Sequence, residues 1–179
     1  SQIPTFLVSQ LASQNVTVSL SGDSGDELFC GYNRYLLADQ VWNKLSLLPV
    51  PLRNLLAKLV TIISPSAWST IFSFLHNGNV GDKIHKAAGV LGSSNADELY
   101  LGLISHWRNP ESIVINGTEP KTLFTGNMSG LSSFNQVEKM MLLDLLTYLP
   151  DDILTKVDRA AMAVSLETRI PFLNHKLCF

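Results

Sequence analysis

Apolar and polar residues alternate strictly in one run, Val16-Thr17-Val18-Ser19-Leu20-Ser21. A partly β-branched run of that period predicts a half-buried strand. The other patterned segments have helical spacing. Thr5 to Gln14 puts Phe6, Leu7 and Leu11 on one side of a short helix, and Leu28 to Ala38 reads as an aromatic-rich helix. Pro51 opens the next one, at a first-turn position where a missing N–H costs nothing. There Leu52, Leu55, Leu56, Leu59, Val60 and Ile63 recur at i, i+3, i+4, i+7, i+8 and i+11, with Arg53, Asn54 and Lys58 off the stripe. Such a stripe is expected to face a core.

Further helices are predicted over Asp82 to Leu91 and from the capping pair Asn95 and Glu98 to about Trp107. Ser133 with Gln136 caps another, carrying Val137, Met140, Met141, Leu145 and Tyr148 at helical spacing and stopped by Pro150. A last helix follows Asp151-Asp152 to about Glu167, and Pro171 ends the pattern. Residues 108 to 131, rich in Asn, Gly, Pro, Ser and Thr, read as a long loop. One strand cannot form a sheet. Either the strand is misread in an all-α protein or its partners lie outside this chain, and the second is the expectation.

Composition narrows the picture. The chain has 179 residues, 46% of them hydrophobic, which suits one globular domain and excludes a disordered chain. Only 16% are charged, against about 25% in a typical domain, as expected of a piece of something larger. A net charge of −2 offers no electrostatic footprint for nucleic acid. The greasiest stretch, Leu45 to Ile63, is broken by Pro49, Pro51, Arg53 and Lys58 and predicts no membrane span. Cys30 and Cys178 have no metal or redox spacing, and Ser1-Gln2-Ile3-Pro4 has no leader character. Two reduced thiols and a cytoplasmic location are therefore expected.

Two segments concentrate the chemistry. Ser21-Gly22-Asp23-Ser24-Gly25-Asp26-Glu27 follows the strand and opens a helix, a turn whose free N–H groups suit an anion. Asp23, Asp26 and Glu27 would repel a bare phosphate, so the combination points to phosphate together with Mg2+. An ordinary Gly-rich turn whose acids favour the helix dipole fits the spacing as well. The second segment runs from Leu149 to His175 and includes Lys156, Asp158, Arg159, Glu167 and Arg169. Lys156 and Arg159 could set positive charge against an anionic intermediate; structural salt bridges such as Glu167 with Arg169 or Arg159 are the alternative. His76, His85, His106 and His175 lack ligand spacing, and Phe29, Tyr32 and Tyr35 read as helix core.

Together these segments resemble the synthetase domain of glutamine-hydrolysing asparagine synthetases. That family's acidic loop reads close to Ser-Gly-Asp-Gly-Gly-Asp-Glu-Leu-Phe-Gly-Gly-Tyr, and residues 21 to 32 match it except at Ser24 and Cys30. Leu149 to Leu173 matches its later block, Leu-Pro-Asp-Asp-Ile-Leu, Lys-x-Asp-Arg and Ser-Leu-Glu-x-Arg-x-Pro-Phe-Leu, with Asn174 in place of the usual aspartate. The resemblance implies an α/β fold, part of a nucleotide-binding ATP-pyrophosphatase-type domain over residues 1–179, mainly helical in this slice with one clear strand. It implies an ATP- and Mg2+-dependent ligase that adenylates the aspartate side chain and transfers glutamine-derived ammonia.

By the same resemblance Ser21 and Gly22 contact the AMP portion and Asp23 stands near the reacting carboxyl. Asp26 holds Mg2+ and pyrophosphate, and Lys156 or Arg159, with Arg159 favoured by position, supplies charge to the phosphates. The family's glutaminase domain and its upstream Ser-Gly-Gly-x-Asp-Ser loop are not in this chain, so the chain alone is expected to be inactive. Aspartate, ATP and ammonia are the expected partners, nucleic acid and membrane are not, and there is room for a homodimer. A related ligase acting on another acid and a non-catalytic helical binding module are the alternatives. Ser24 is tolerated at negative φ and strained at positive φ.

Overall fold

The computed structural model describes residues 2–75, 79–105, 107, 110–124, 126, 129–131 and 133–178. In chain order it places α1 (Gln2–Ser13), β1 (Val18–Leu20), α2 (Gly25–Leu28), α3 (Asn33–Leu45), α4 (Val50–Ile62), α5 (Pro65–Ile71), α6 (Val80–Val90), α7 (Ala96–Ile104), α8 (Gln136–Leu146), α9 (Thr155–Met162), β2 (Glu167–Arg169) and α10 (His175–Cys178). The chain divides into two compact units, residues 1–35 with 131–179, and residues 36–130. Mainly helical with a short parallel sheet, it is consistent with the α/β class.

In the first unit the predicted strand finds its partner inside the chain. β1 pairs in parallel with β2, Val18 opposite Glu167, Ser19 opposite Thr168 and Leu20 opposite Arg169. This corrects both the single-strand reading and the helix drawn to Glu167. The helix stops early because Ser165 turns left-handed at φ 58° and the Leu166 N–H donates to the Ala161 carbonyl at 3.0 Å. That turn satisfies a helix-end carbonyl and releases the chain into β2. Glu167 and Arg169 are exposed, so no apolar alternation marked the strand. α9 packs on α1 and β2, and the core gathers Tyr35, Met140, Leu143, Leu149, Ala161 and Leu166.

Three more expectations shift in this unit. The helix drawn over Leu28 to Ala38 is two helices. Cys30 at φ 58° follows α2, and the Gly31 N–H reaches back to the Asp26 carbonyl at 2.9 Å, a left-handed closure that ends the helix. The capping box of α8 is Asn135 with Glu138, at 2.9 Å both ways, rather than Ser133 with Gln136. Pro150 does not interrupt helical structure after α8. It lies in the first turn of a wide π-helical segment, Leu149–Leu154, that runs into α9, where its missing N–H leaves little unmade.

In the second unit α4, α5 and α6 pack together and α6 packs on α7. Asn95 caps α7 as predicted, accepting from the Glu98 N–H at 2.8 Å, although the helix ends at Ile104 rather than near Trp107. α5 was not predicted; Ser64 caps it and Pro65 opens it. α6 crosses α5 so closely that a Cβ on Gly81 would overlap the Pro65 carbonyl, so only glycine fits there.

The α4 stripe is overturned. Leu52, Leu55, Leu56 and Leu59 are exposed, and Arg53 is the buried residue. Its guanidinium donates to the Ser93 carbonyl at 2.8 Å and stands 5.6 Å from the Trp42 ring. Among the described residues no single helix is long and apolar enough to cross a membrane.

Candidate functional site

β1 ends where the Ser21 N–H donates to the Arg169 carbonyl at 2.9 Å, and the chain then enters the acidic loop. The Ser21 hydroxyl donates to the Asp23 carboxylate, and the Asp23 N–H donates back to Ser21 Oγ at 3.3 Å. This pair folds the turn so that Gly22 lies at its tip, with nothing within 4 Å of where a Cβ would stand. A ligand can therefore approach the backbone closely there.

Ser24 has φ 69°, the strained case, and its buried hydroxyl has no partner. Both departures from the motif's glycines, Ser24 and Cys30, fall on left-handed backbone. Each costs on the order of 1–2 kcal/mol relative to glycine.

Ser21, Gly22 and Asp23 line a cavity of about 550 Å³ together with Lys156, which α9 brings from the other end of the sequence. The sheet makes the meeting: β2 draws the segment after α9 alongside β1. The same loop residues, with Asp26, Glu27 and Tyr32, line a second cavity of about 270 Å³. Four predicted residues thus share one cavity, and Asp26 lies in its neighbour.

Arg159 lines neither. It is exposed on α9, so the preference for it over Lys156 is not what this geometry favours. The structural alternative holds at one place: Arg169 and Glu167 pair at 2.8 Å, both largely exposed, a contact worth under about 1 kcal/mol.

Sequence reasoning left Tyr32, Arg34 and Asp144 without a site role and read Glu27 only as one of three loop carboxylates. Glu27 is 2% exposed and accepts from the Tyr32 hydroxyl at 2.8 Å. Burial first, then the hydrogen bond to Glu27 and the charges of Glu27, Tyr148 and Asp26, push the Tyr32 phenol well above the ordinary tyrosine range.

The Arg34 guanidinium lies 4.2 Å from the Tyr32 ring and 4.8 Å from the Tyr148 ring, and pairs with Asp144. Asp144 also accepts from the Tyr35 hydroxyl at 2.6 Å. Tyr35 is helix core, as expected, whereas Tyr32 precedes α3 and is half-buried and Phe29 is exposed; both tyrosines also hold this charge network. Their spacing beside the acidic loop was the available signal.

Among the described residues no group of three or more His, Cys, Asp or Glu is set to hold a metal alone. His76 and His106 lie outside the described residues. Asp26, a hard oxygen donor beside an open glycine turn, fits Mg2+ that also takes phosphate oxygens. A larger cavity of about 790 Å³, walled by Leu28, Phe29, Leu149, Phe172 and other mainly apolar residues, holds none of the predicted site residues.

Residues 1–178 match the family model described as asparagine synthase. Among curated proteins the chain is 33% identical over 176 residues to asparagine synthetase [glutamine-hydrolyzing] 1 of Bacillus subtilis, covering 96% of this chain and 25% of that protein. It is 29% identical over 174 residues to a putative asparagine synthetase [glutamine-hydrolyzing] of Mycobacterium bovis, covering 96% and 24%. To a putative asparagine synthetase [glutamine-hydrolyzing] 2 of Methanocaldococcus jannaschii it is 30% identical over 174 residues, covering 96% and 31%. The chain therefore spans about a quarter to a third of the length of these relatives. No solved structure gives a significant match.

Proposed function

We propose that this chain, which belongs to the asparagine synthase family, is part of an ATP-dependent ligase that converts aspartate to asparagine. The observation that carries this reading is the cavity shared by Ser21, Gly22, Asp23 and Lys156. It places an open backbone turn and a cation around one space, next to an acidic cavity. The fold that would put nucleotide there is an ATP-pyrophosphatase-type α/β domain, with the ligand at the carboxyl end of β1.

The proposed roles are those the family resemblance implies, with Lys156 preferred to Arg159 on placement. Gly22 lets the nucleotide approach the main chain, and Ser21, tied to Asp23, contacts the AMP portion. The aspartate side-chain carboxylate attacks the α-phosphate of ATP and pyrophosphate leaves; ammonia then displaces AMP as the amide forms. Lys156 presents its ammonium to the phosphates as negative charge moves onto the leaving group. Asp23 faces the reacting carboxyl end. Mg2+ would supply further positive charge to the phosphates, with Asp26 as its protein ligand. Arg159 is left outside the reacting centre.

Ammonia derived from glutamine by a glutaminase domain, a homodimeric assembly and a cytoplasmic location belong to the same proposal. Only the first has support in the names of the relatives, which are described as glutamine-hydrolyzing.

The test is pyrophosphate release from ATP by the complete protein, with aspartate present or absent and with glutamine or ammonia as nitrogen source. Release that needs aspartate, with asparagine formed, is the expected result. Release with a different acid keeps the chemistry and replaces the substrate. No release with any acid leaves a helical binding module.

A further inference from the structure

The smaller cavity contains a feature the roles above do not use. Glu27 is almost wholly buried, yet only one of its oxygens is engaged, by the Tyr32 hydroxyl at 2.8 Å. The other accepts no hydrogen bond among the described residues. Asp23 and Asp26 line the same space, and among the described residues no lysine, arginine or histidine does. A buried carboxylate is stable only when its charge is met by donors or a counter-charge.

Arg34 does not meet it. That guanidinium is ion-paired with Asp144, and it lies against the rings of Tyr32 and Tyr148. It therefore fixes the tyrosine that fixes Glu27.

Among the described residues the three carboxylates do not form a metal-holding group. The cavity, about 270 Å³, is roomier than a single ion requires. It adjoins the larger cavity through Ser21, Gly22 and Asp23, which line both.

We propose that Glu27 is a substrate-facing residue whose free oxygen takes the ammonium group of an α-amino acid, with Tyr32 and Arg34 as the positioning residues that aim it. An amino acid so held has its positive end in the acidic cavity and its remaining carboxylates toward the space that Lys156 lines. The inference rests on the proposed function only in its choice of aspartate as the probe.

The experiment uses the complete protein in Mg2+-free buffer. Aspartate and succinate, the same diacid without the ammonium group, are titrated calorimetrically into wild type, Glu27→Gln and Tyr32→Phe, each checked for folding by circular dichroism. Wild type is expected to prefer aspartate. Glu27→Gln weakens aspartate by about 10- to 100-fold, as loss of a charged hydrogen bond requires, and leaves succinate unchanged. Tyr32→Phe weakens aspartate by about 3- to 10-fold in the same direction. In turnover, the KM for aspartate rises and the KM for ATP does not.

Equal loss for both acids, an unchanged aspartate affinity in Glu27→Gln, or binding that requires Mg2+ overturns the proposal. If Glu27→Gln does not fold, Tyr32→Phe decides it. Wild type that binds aspartate in this way without making asparagine defeats the proposed function alone. Active wild type with unaltered affinity in the variants defeats this inference alone. Wild type that binds no α-amino acid overturns it.

Discussion

The two units differ in how their sequence becomes structure. Residues 36–130 fold mainly by neighbours: α4, α5 and α6 pack together and α6 meets α7, each contact a short walk along the chain. The other unit joins residues 1–35 to residues 131–179, and its sheet, its α1–α9 packing and both polar cavities depend on that junction. Each unit buries a charged network. In the local unit Arg53 meets a carbonyl and an aromatic ring and faces none of the cavities described above. In the joined unit Glu27 and the Arg34–Asp144 pair stand behind a loop that lines two cavities. The residues predicted for the site gather where distant segments are brought together.

The largest effect expected from breaking this comparison is in turnover. Asp26→Ala in the complete protein should lower kcat by about 10²-fold or more, as loss of a pre-organised charge does. Steady-state pyrophosphate release measures it, and near-normal turnover removes Asp26 from the site.

Residues 36–130 should respond in stability alone. Arg53→Ala removes the stem packing and strands the Ser93 carbonyl, at a cost of about 2–3 kcal/mol by urea denaturation. Arg53→Met, which keeps volume and drops the buried charge, should cost less. Activity per folded molecule should stay at the wild-type level in both; a fall would give the local unit a share in the chemistry.

A smaller effect sharpens the account of the loop. Ser24→Gly relieves left-handed strain and an unpartnered buried hydroxyl, at some expense in chain entropy. A net gain of about 1 kcal/mol is expected by thermal denaturation. No gain would mean that the hydroxyl has a partner in the folded protein.

The smallest effect is in alkaline stability. The Tyr32 phenol is raised in the folded state, so its protonated form is favoured there. The stability it contributes is complete below the ordinary tyrosine range and falls as pH rises above about 10. Tyr32→Phe should flatten that decline, as urea midpoints on either side of pH 10 would show. An unchanged decline would locate it elsewhere.

The same division describes what the sequence disclosed. Local signals placed elements well: the Asn95 cap, Pro51 at a helix start and the strand at β1 depend on neighbouring residues, although in β1 the apolar Val18 and Leu20 are exposed and Ser19 is the half-buried residue. β2 was missed because Glu167-Thr168-Arg169 is short and polar, and only pairing with β1 makes it a strand. The α4 stripe misled because period reports amphipathicity and cannot say which side is covered; here Arg53 is buried and four leucines are exposed. Cys30 and Ser165 end helices through left-handed turns that glycine would have announced. At the site, Ser21, Gly22, Asp23 and Lys156 were legible as motif residues. Glu27 was legible only as one of three loop carboxylates; its burial and its bond to Tyr32 exist only once α2 and α3 are set around Cys30.

The most direct test of the central claim compares the two cations of α9 in the complete protein. Lys156→Ala and Arg159→Ala are assayed for aspartate-dependent pyrophosphate release at saturating ATP. A loss of about 10²-fold or more in Lys156→Ala, with Arg159→Ala within about twofold of wild type, is the expected result. The reverse order, or two unimpaired variants, would contradict the claim that the cavity shared by the acidic loop and α9 is where the reaction takes place.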